Sequence, residues 1–416
     1  MQRVTHLNPK DYMSFLSFGL HESIMQGIYD SGYDNPTEIQ QKAIPPALQG
    51  RDVIGCAPTG TGKTAAFVLP ILNKLTQCPD SDKYVHPFAL ILTPTRELAL
   101  QIEDSIKTYG SSTPVRTVCV YGGVSLENQV RALRKGCDIV VATPGRLLDH
   151  LNRRSVSLGA VDVLVLDEAD RMFDMGFIHD VRKIISYVPT DRQTLLFSAT
   201  MSPDIKKLIS GIQKKPVLVE IGSPNTPVST VDQQFYVAAK NTKLDLLVHI
   251  LKKEPIETML VFSRTKHGAD KIARRLAQNG VSSAALHADR SQSQRKKALD
   301  DFKQRRFKVL VATDIAARGL DIDKISHVVN FDTPAFAEDY IHRIGRTGRA
   351  EETGTAVTFV DDEEKKFLKR IEYLTGKKFD VKKYPDFDYP EPEKAESVPR
   401  PRNWQAFQRK MRGYRP

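Results

Sequence analysis

A chain of 416 residues, 40% hydrophobic and 27% charged, has enough apolar surface for two or more domains of roughly 100–200 residues and is not a disordered polymer. Its apolar stretches, such as Phe88–Leu92, are far short of the roughly 20 residues a membrane helix needs, MQRVTHLNPKDYM at the start holds no apolar signal core, and four cysteines without CxxC spacing exclude zinc fingers and a dense disulfide framework. Of the net charge of +11, residues 1–220 carry only +1 (24 basic, 23 acidic) and residues 221–416 carry +10 (37 and 27), which points to a polyanion such as nucleic acid as partner. No membrane and a reducing, cytoplasmic setting are expected.

In chain order, short β-branched runs alternate with helix-like stretches. The first set is Val53–Cys56, Ala89–Leu92, Thr117–Val120, Ile139–Ala142, Val163–Leu166 and Thr194–Phe197. The second is Thr258–Phe262, Ser283–Leu286, Lys308–Ala312, Val328–Phe331 and Thr355–Val360. Runs apolar on both faces and spaced by a helix predict buried parallel strands, hence two α/β domains with helices flanking each sheet. Between the sets, IGSPNTPVST at 221–230 reads as a linker, or as a long surface loop within one domain.

Three segments carry chemistry. Ala57-Pro58-Thr59-Gly60-Thr61-Gly62-Lys63-Thr64 follows a predicted strand and opens a helix. Its glycines let backbone N–H groups cradle phosphate, Lys63 adds charge, and the Thr64 hydroxyl suits Mg²⁺. Asp167-Glu168-Ala169-Asp170 lies at the end of Val163–Leu166, where ligands of parallel sheets sit. Asp167 is placed to hold Mg²⁺, directly or through water, and Glu168 to act as general base; an acidic helix start gives the same letters. His342-Arg343-Ile344-Gly345-Arg346-Thr347-Gly348-Arg349 spaces three arginines to share one helix face, suited to γ-phosphoryl charge. If these arginines come from the second domain, ATP binds in a cleft between domains.

With these segments in order, the chain resembles the DEAD-box ATP-dependent RNA helicases across residues 15–380. Phe18 and Gly32–Gln40 resemble the Q motif, 57–64 motif I, and Pro94-Thr95-Arg96-Glu97-Leu98-Ala99 motif Ia. Gly122-Gly123 and Thr143-Pro144-Gly145-Arg146 resemble the GG and Ib motifs, and Ser198-Ala199-Thr200 motif III. Val261–Thr265 resembles motif IV, Gln292 with Arg295 the QxxR element, Ala312–Asp314 through Arg318–Asp321 motif V, and 342–349 motif VI. The spelling DEADRMFDMGFIHD at 167–180 is similar to the RhlE-like bacterial branch. Pro58 departs from the family's usual Gln and removes one N–H, so the phosphate donors are expected from residues 60–64.

The resemblance implies tandem RecA-like domains. It divides the chain into an extension (1–15), Q-motif region (16–44), first domain (45–220), linker (221–230), second domain (231–380) and basic tail (381–416). ATP and Mg²⁺ are the implied ligands, held by Phe18, Gln40, Ala57, Thr59, Gly60, Thr61, Gly62, Lys63, Thr64, Asp167 and Asp314. Phe18 would stack on adenine and Gln40 read its edge, although Thr37 and Gln40 also have capping-box spacing. Catalysis would rest on Glu168, Lys63, Asp167, Arg346 and Arg349. Asp170, Ser198, Thr200, Arg318 and His342 would couple the domains.

RNA is the implied partner, held through its backbone by Pro94, Thr95, Arg96, Gly122, Gly123, Thr143, Gly145, Arg146, Arg264, Gln292, Arg295 and Thr313. The implied activity is RNA-stimulated ATP hydrolysis with local duplex separation, the alternative being a non-unwinding ATP-dependent clamp in ribonucleoprotein assembly. Ribonucleoprotein or RNA-decay proteins are candidate partners. The last twenty residues hold six basic and no acidic side chains, with Trp404, Phe407 and Tyr414; they read as a solvated tail or an RNA-binding arm.

Overall fold

A computed structural model describes residues 14–58, 60–77, 86–221, 231–317, 325–348 and 353–389. Two helices, α1 (Glu22–Asp30) and α2 (Glu38–Leu48), precede the first sheet. Its strands are β1 (Val53–Cys56), β2 (Ala89–Leu92), β3 (Thr117–Val120), β4 (Ile139–Ala142), β5 (Val163–Leu166), β6 (Gln193–Ser198) and β7 (Val217–Glu220). All pair in parallel, in the order β3-β4-β2-β5-β6-β1-β7. The crossovers are α3 (Lys63–Thr76), α4 (Arg96–Tyr109), α5 (Leu126–Arg134), α6 (Pro144–Asn152), α7 (Ala169–Asp174), α8 (Ile178–Ile185) and α9 (Pro203–Ile212).

Alternation along the strands divides the core in two. Val53, Ile91 and Val165 face α1–α4, while Ile54, Leu90 and Leu164 face the opposite helical layer. Gly27 lets α1 lie directly on α4, because a Cβ there would fall 2.2 Å from the Tyr109 carbonyl oxygen.

The second sheet comprises β8 (Val231–Val237), β9 (Met259–Phe262), β10 (Ser283–Leu286), β11 (Val309–Ala312), β12 (His327–Asn330), β13 (Gly354–Val360) and β14 (Val381–Lys382). Its order is β10-β11-β9-β12-β13-β8-β14, again parallel. Counted within its own domain, each sheet has its third strand at one edge, its first strand sixth and its seventh strand last. The chain builds one topology twice. Helices α10 (Lys243–Lys253), α11 (Lys266–Gln278), α12 (Gln292–Lys303), α13 (Asp314–Ala317), α14 (Ala337–Ile344) and α15 (Lys365–Thr375) flank it. No helix among the described residues is long and apolar enough to cross a membrane.

Two expected boundaries move. Phe15 is buried in the first core and starts a 3-10 turn over Phe15–Phe18, so it belongs to domain 1 rather than to an extension. Residues 381–389 belong to domain 2 rather than to a tail. There β14 extends the sheet beside β8, the Tyr384 hydroxyl donates to Glu254 at 2.9 Å, and Tyr384 and Phe387 meet the His249 ring edge-on. The basic segment with Trp404, Phe407 and Tyr414, residues 1–13, and linker residues 222–230 lie outside the described residues.

Candidate functional site

The phosphate loop joins β1 to α3. Gly62 is the N-cap of α3 with φ +90°, and a Cβ there would stand 2.4 Å from Gln40 Nε2. Only glycine fits both the left-handed backbone and that approach. Lys63 is buried and its Nζ donates to the Ala57 carbonyl at 2.6 Å. Thr61 Oγ1 donates to the Pro58 carbonyl at 2.9 Å, so Pro58 serves the loop as an acceptor.

Gln40 is also buried. Its Oε1 accepts from Thr37 N–H at 2.9 Å, the capping box anticipated from sequence, and its Nε2 donates to the Gly62 carbonyl at 3.0 Å. Thr37 Oγ1 donates to the Thr61 carbonyl at 2.7 Å. The start of α2 thus fixes the phosphate loop. Phe18 packs edge-on against Phe15 at 5.9 Å.

Asp167, Glu168 and Asp170 are all buried beyond the end of β5. Burial, with Glu168 adding to it, pushes the Asp167 carboxyl up to about 7, while Lys63 pulls the other way. Such a carboxylate gains from a cation. Thr64 and Asp167 offer two hard oxygen donors, and no cluster of three or more His, Cys, Asp or Glu could cage a metal among the described residues. That donor set fits Mg²⁺ completing its shell with phosphate and water.

Glu168 caps α7 in the left-handed region, φ 51° and ψ 52°, and its Oε2 pairs with buried Arg171 at 3.2 Å. Non-glycine residues rarely hold this conformation, at a cost of about 1–3 kcal/mol. Asp170 Oδ2 accepts from Ala199 N–H at 3.0 Å, Thr200 N–H at 2.8 Å and Thr200 Oγ1 at 3.1 Å, while Ser198 Oγ accepts from Asp170 N–H at 3.2 Å. Burial raises this carboxyl, but His342, Lys63, Arg171 and the Thr200 N–H outweigh it and leave it below its ordinary value. Burial and Arg171 push His342 below its ordinary value, while Asp170 pulls the other way.

Arg171 of domain 1 shares a small cavity with Phe262, Asp314, His342, Arg343 and Arg346 of domain 2. Arg343 and Arg346 do not share one helix face as their spacing predicted. Helix α14 ends at Ile344, and Arg346, buried, sits in the turn beyond with its N–H on the Arg343 carbonyl at 3.1 Å. Gly345 is the C-cap, and beyond it the N–H groups of Arg346 and Thr347 bond only three residues back, to Arg343 and Ile344. Arg343 grips both oxygens of Asp314 at 2.6 and 2.7 Å and also donates to Asn330 and the Asp332 carbonyl. Asp314, expected to help hold ATP, is therefore already engaged on both oxygens. Thr59, Arg318 and Arg349 lie outside the described residues.

The other expected site residues occupy the opposite half of each sheet, at the carboxyl ends of β2, β3 and β4 and of β9, β10 and β11. Arg96 stacks on Tyr121 at 4.4 Å, and Thr95 Oγ1 caps α4 by accepting from Leu98 N–H at 3.3 Å. Gly122 and Gly123 are exposed in the loop after β3. Arg146 donates to the Val124 carbonyl and to Gln129 Oε1, both at 3.1 Å. In domain 2, Arg264 N–H donates to Asp332 at 2.7 Å and its guanidinium to Glu364 at 3.0 Å. Arg295, expected to contact RNA, pairs with Glu97 of domain 1 at 2.9 Å. This pair sets motif Ia against the QxxR element and needs the two domains together.

The family comparisons agree with this geometry. Residues 37–208 match the DEAD/DEAH box helicase family and 242–351 the helicase conserved C-terminal domain. The chain is similar to the DEAD-box ATP-dependent RNA helicase RhpA of Helicobacter pylori, 46% identical over 360 residues, covering 86% of this chain and 72% of that protein. It belongs to the DEAD-box ATP-dependent RNA helicases. CshA of Bacillus subtilis is 43% identical over 376 residues, 90% of this chain and 75% of the relative. Dbp5 of S. cerevisiae, bound to RNA and ADP BeF3, superposes with a TM-score of 0.79 at 30% identity, covering 96% of this chain and 99% of that one. Two RecA-like domains and ATP hydrolysis come with membership, and the clamp alternative is not favoured.

Two residues of this DEAD-box helicase escaped sequence reasoning. Gln129, buried, donates to the Tyr121 carbonyl at 3.0 Å and its Oε1 meets both Arg146 and the buried His150, the latter at 3.1 Å. It ties the loop carrying Gly122–Gly123 to motif Ib. A glutamine six residues past a GG pair was the available signal. Lys243 opens α10 after β8 as Lys63 opens α3 after β1, but protein carboxylates neutralise it: Glu364 at 2.5 Å and Asp361 at 3.5 Å. The second domain thus fills its phosphate-loop position with an ion pair, and the same Glu364 holds Arg264.

The cross-domain pair gives a direct test of closure. Arg295→Glu or Glu97→Arg alone is expected to raise the RNA concentration for half-maximal ATPase ~10-fold or more, because breaking a buried pair costs about 3–5 kcal/mol and closure bears that cost. The double swap should recover part of the loss. Additive losses in the double variant would show that the two side chains do not meet in the active state.

Proposed function

We propose that this helicase hydrolyses ATP between its domains, with RNA lying across motifs Ia, GG and Ib of domain 1 and motifs IV and V of domain 2. Closure bends one strand and so separates short duplexes locally. The observation that carries this is the meeting of Arg171, beside the DEAD carboxylates, with His342, Arg343 and Arg346 in one cavity. Phe18 and Gln40 bind adenine, residues 60–64 bind phosphate, Glu168 accepts the water's proton, and Arg346 and Arg349 stabilise the developing charge. Mg²⁺, held by Asp167 and Thr64, neutralises phosphate charge when bound. Asp170, through Ser198 and Thr200, relays the state of the cleft to the domain contacts.

Structured RNA in a bacterial cytoplasm is the substrate class we favour, because the 167–180 segment resembles the RhlE-like branch. Phosphate release with and without RNA tests the reading. Strong stimulation by single-stranded RNA and none by single-stranded DNA is expected, since backbone and 2′-hydroxyl contacts discriminate. Equal stimulation by DNA would overturn the RNA path.

A side-chain amide has two donor hydrogens and two acceptor lone pairs, so Gln40 keeps one of each beyond its bonds to Thr37 and Gly62. Gln40→Ala is expected to weaken ATP binding and to erode the preference over GTP, measured by nucleotide competition. A destabilised variant with full ATP preference would leave Gln40 with its capping role alone.

A further inference from the structure

We propose that the outer face of α15, with Phe336, is a second RNA-binding platform that takes single strand running on from Arg264. This rests on the RNA path proposed above and extends it. Lys366, Lys369, Arg370 and Tyr373 recur at helical spacing on α15 and are all exposed. Tyr373 is 92% exposed, and Phe336 in the loop before α14 is 69% exposed. Arg370 donates to the Ala335 carbonyl at 3.3 Å, which brings the Phe336 loop against the helix.

The stripe is continuous with motif IV. Arg264, Lys366 and Arg370 all lie over the Phe367 ring, at 5.6, 5.1 and 5.9 Å from its centroid. Three cations on one ring, flanked by two bare aromatic rings, form an alternation of charge and stacking surface. Single-stranded nucleic acid fits that pattern: phosphates meet the cations and bases stack on the rings without sequence choice. An apolar protein partner would fit the cations poorly. The nearby acids are mostly engaged. Glu364 is held by Lys243 and Arg264, Asp362 by Lys365, and Glu372 by Lys378 and Phe379 N–H. Two exposed acids stand at the margin of the stripe, Glu363 just before α15 and Glu338 two residues after Phe336, against the five cations Arg264, Lys365, Lys366, Lys369 and Arg370.

The test measures binding of single-stranded RNAs of increasing length by the full chain with a non-hydrolysable ATP analogue. Phe336→Ala with Tyr373→Ala should cut affinity for long strands roughly tenfold or more and leave the shortest binding strand unchanged, given the usual effect of losing a stacked base. Lys366→Gln and Arg370→Gln should each make the log–log salt slope shallower by about 0.7, the value per phosphate on single strands. Thermal midpoints should stay put, since the rings are exposed. Arg264→Ala should weaken short and long strands alike. An effect of Arg264→Ala with no effect of the two ring substitutions at any length would overturn the platform and assign the patch to a protein. The reverse pattern would overturn the path through Arg264 and support the platform.

Discussion

Replacing Glu168 with glutamine is expected to slow ATP hydrolysis ~10²-fold or more, the usual share of a general base, while ATP and RNA binding persist. Glutamine keeps the volume and tolerates the site, but its amide cannot accept the water's proton. The residue stands in the left-handed region with φ 51° at the N-cap of α7, buried, with Arg171 at 3.2 Å. That backbone twist separates the roles of adjacent carboxylates. Asp167 points its Oδ1 at Glu168 N–H at 3.0 Å, and Asp170 is bound by motif III. Single-turnover hydrolysis and binding of a fluorescent ATP analogue separate the outcomes. Loss of nucleotide binding would make Glu168 a ligand or a structural residue. Loss of Arg171 pairing alone would lower the thermal midpoint without changing the rate of the chemical step.

The sequence makes most strands legible because burial, complete in the sheet centres and partial at the β3 and β10 edges, leaves short apolar or β-branched runs. β1 to β5 and β10 have the bounds expected of them. Of the missed strands, β8 and β14 lack such runs, while β7 has only the short run Val217-Leu218-Val219 before Glu220. β8 carries Gln233 and Gln234 at its centre, where Tyr340 and Asp232 satisfy their amides. β7 and β14 lie at sheet edges and are partly exposed. Edge position alone does not decide legibility, since β3 and β10 are also partly buried edge strands and have the expected bounds.

The nucleotide motifs are similarly legible because each is a contiguous stretch at a strand end. Contacts between distant stretches are not. Arg295 meets Glu97 across 198 residues of sequence, a partner that no local spacing announces. Lys243 has no glycine-rich loop before it, so its likeness to Lys63 emerges only from the repeated strand order. The spacing of Arg343 and Arg346 misled for a local reason: regular spacing predicts a shared face only while the helix lasts, and α14 ends at Ile344.

Arg346→Lys is expected to cut RNA-stimulated hydrolysis ~10³-fold, the lower end of what an arginine finger contributes, while ATP binding without RNA changes little. The charge is kept, but lysine lacks the planar fork that meets two phosphoryl oxygens at once. Position decides which step suffers. Arg346 belongs to domain 2 and lines the cavity with Arg171 and His342, whereas the phosphate loop and Gln40 belong to domain 1. Nucleotide can therefore bind domain 1 before the guanidinium arrives, and only the closed, RNA-bound state should feel the substitution. Glu168 and Arg346 then act on one transition state, so the double variant should be little slower than the worse single one. The measurement is steady-state phosphate release at saturating ATP, with and without saturating RNA, beside ATP affinity in the absence of RNA. A variant that hydrolyses normally with RNA would remove Arg346 from the machinery and leave the charge to Arg349. A variant that loses ATP affinity without RNA would mean that domain 2 holds the nucleotide before closure, and the order of events drawn here would have to be reversed.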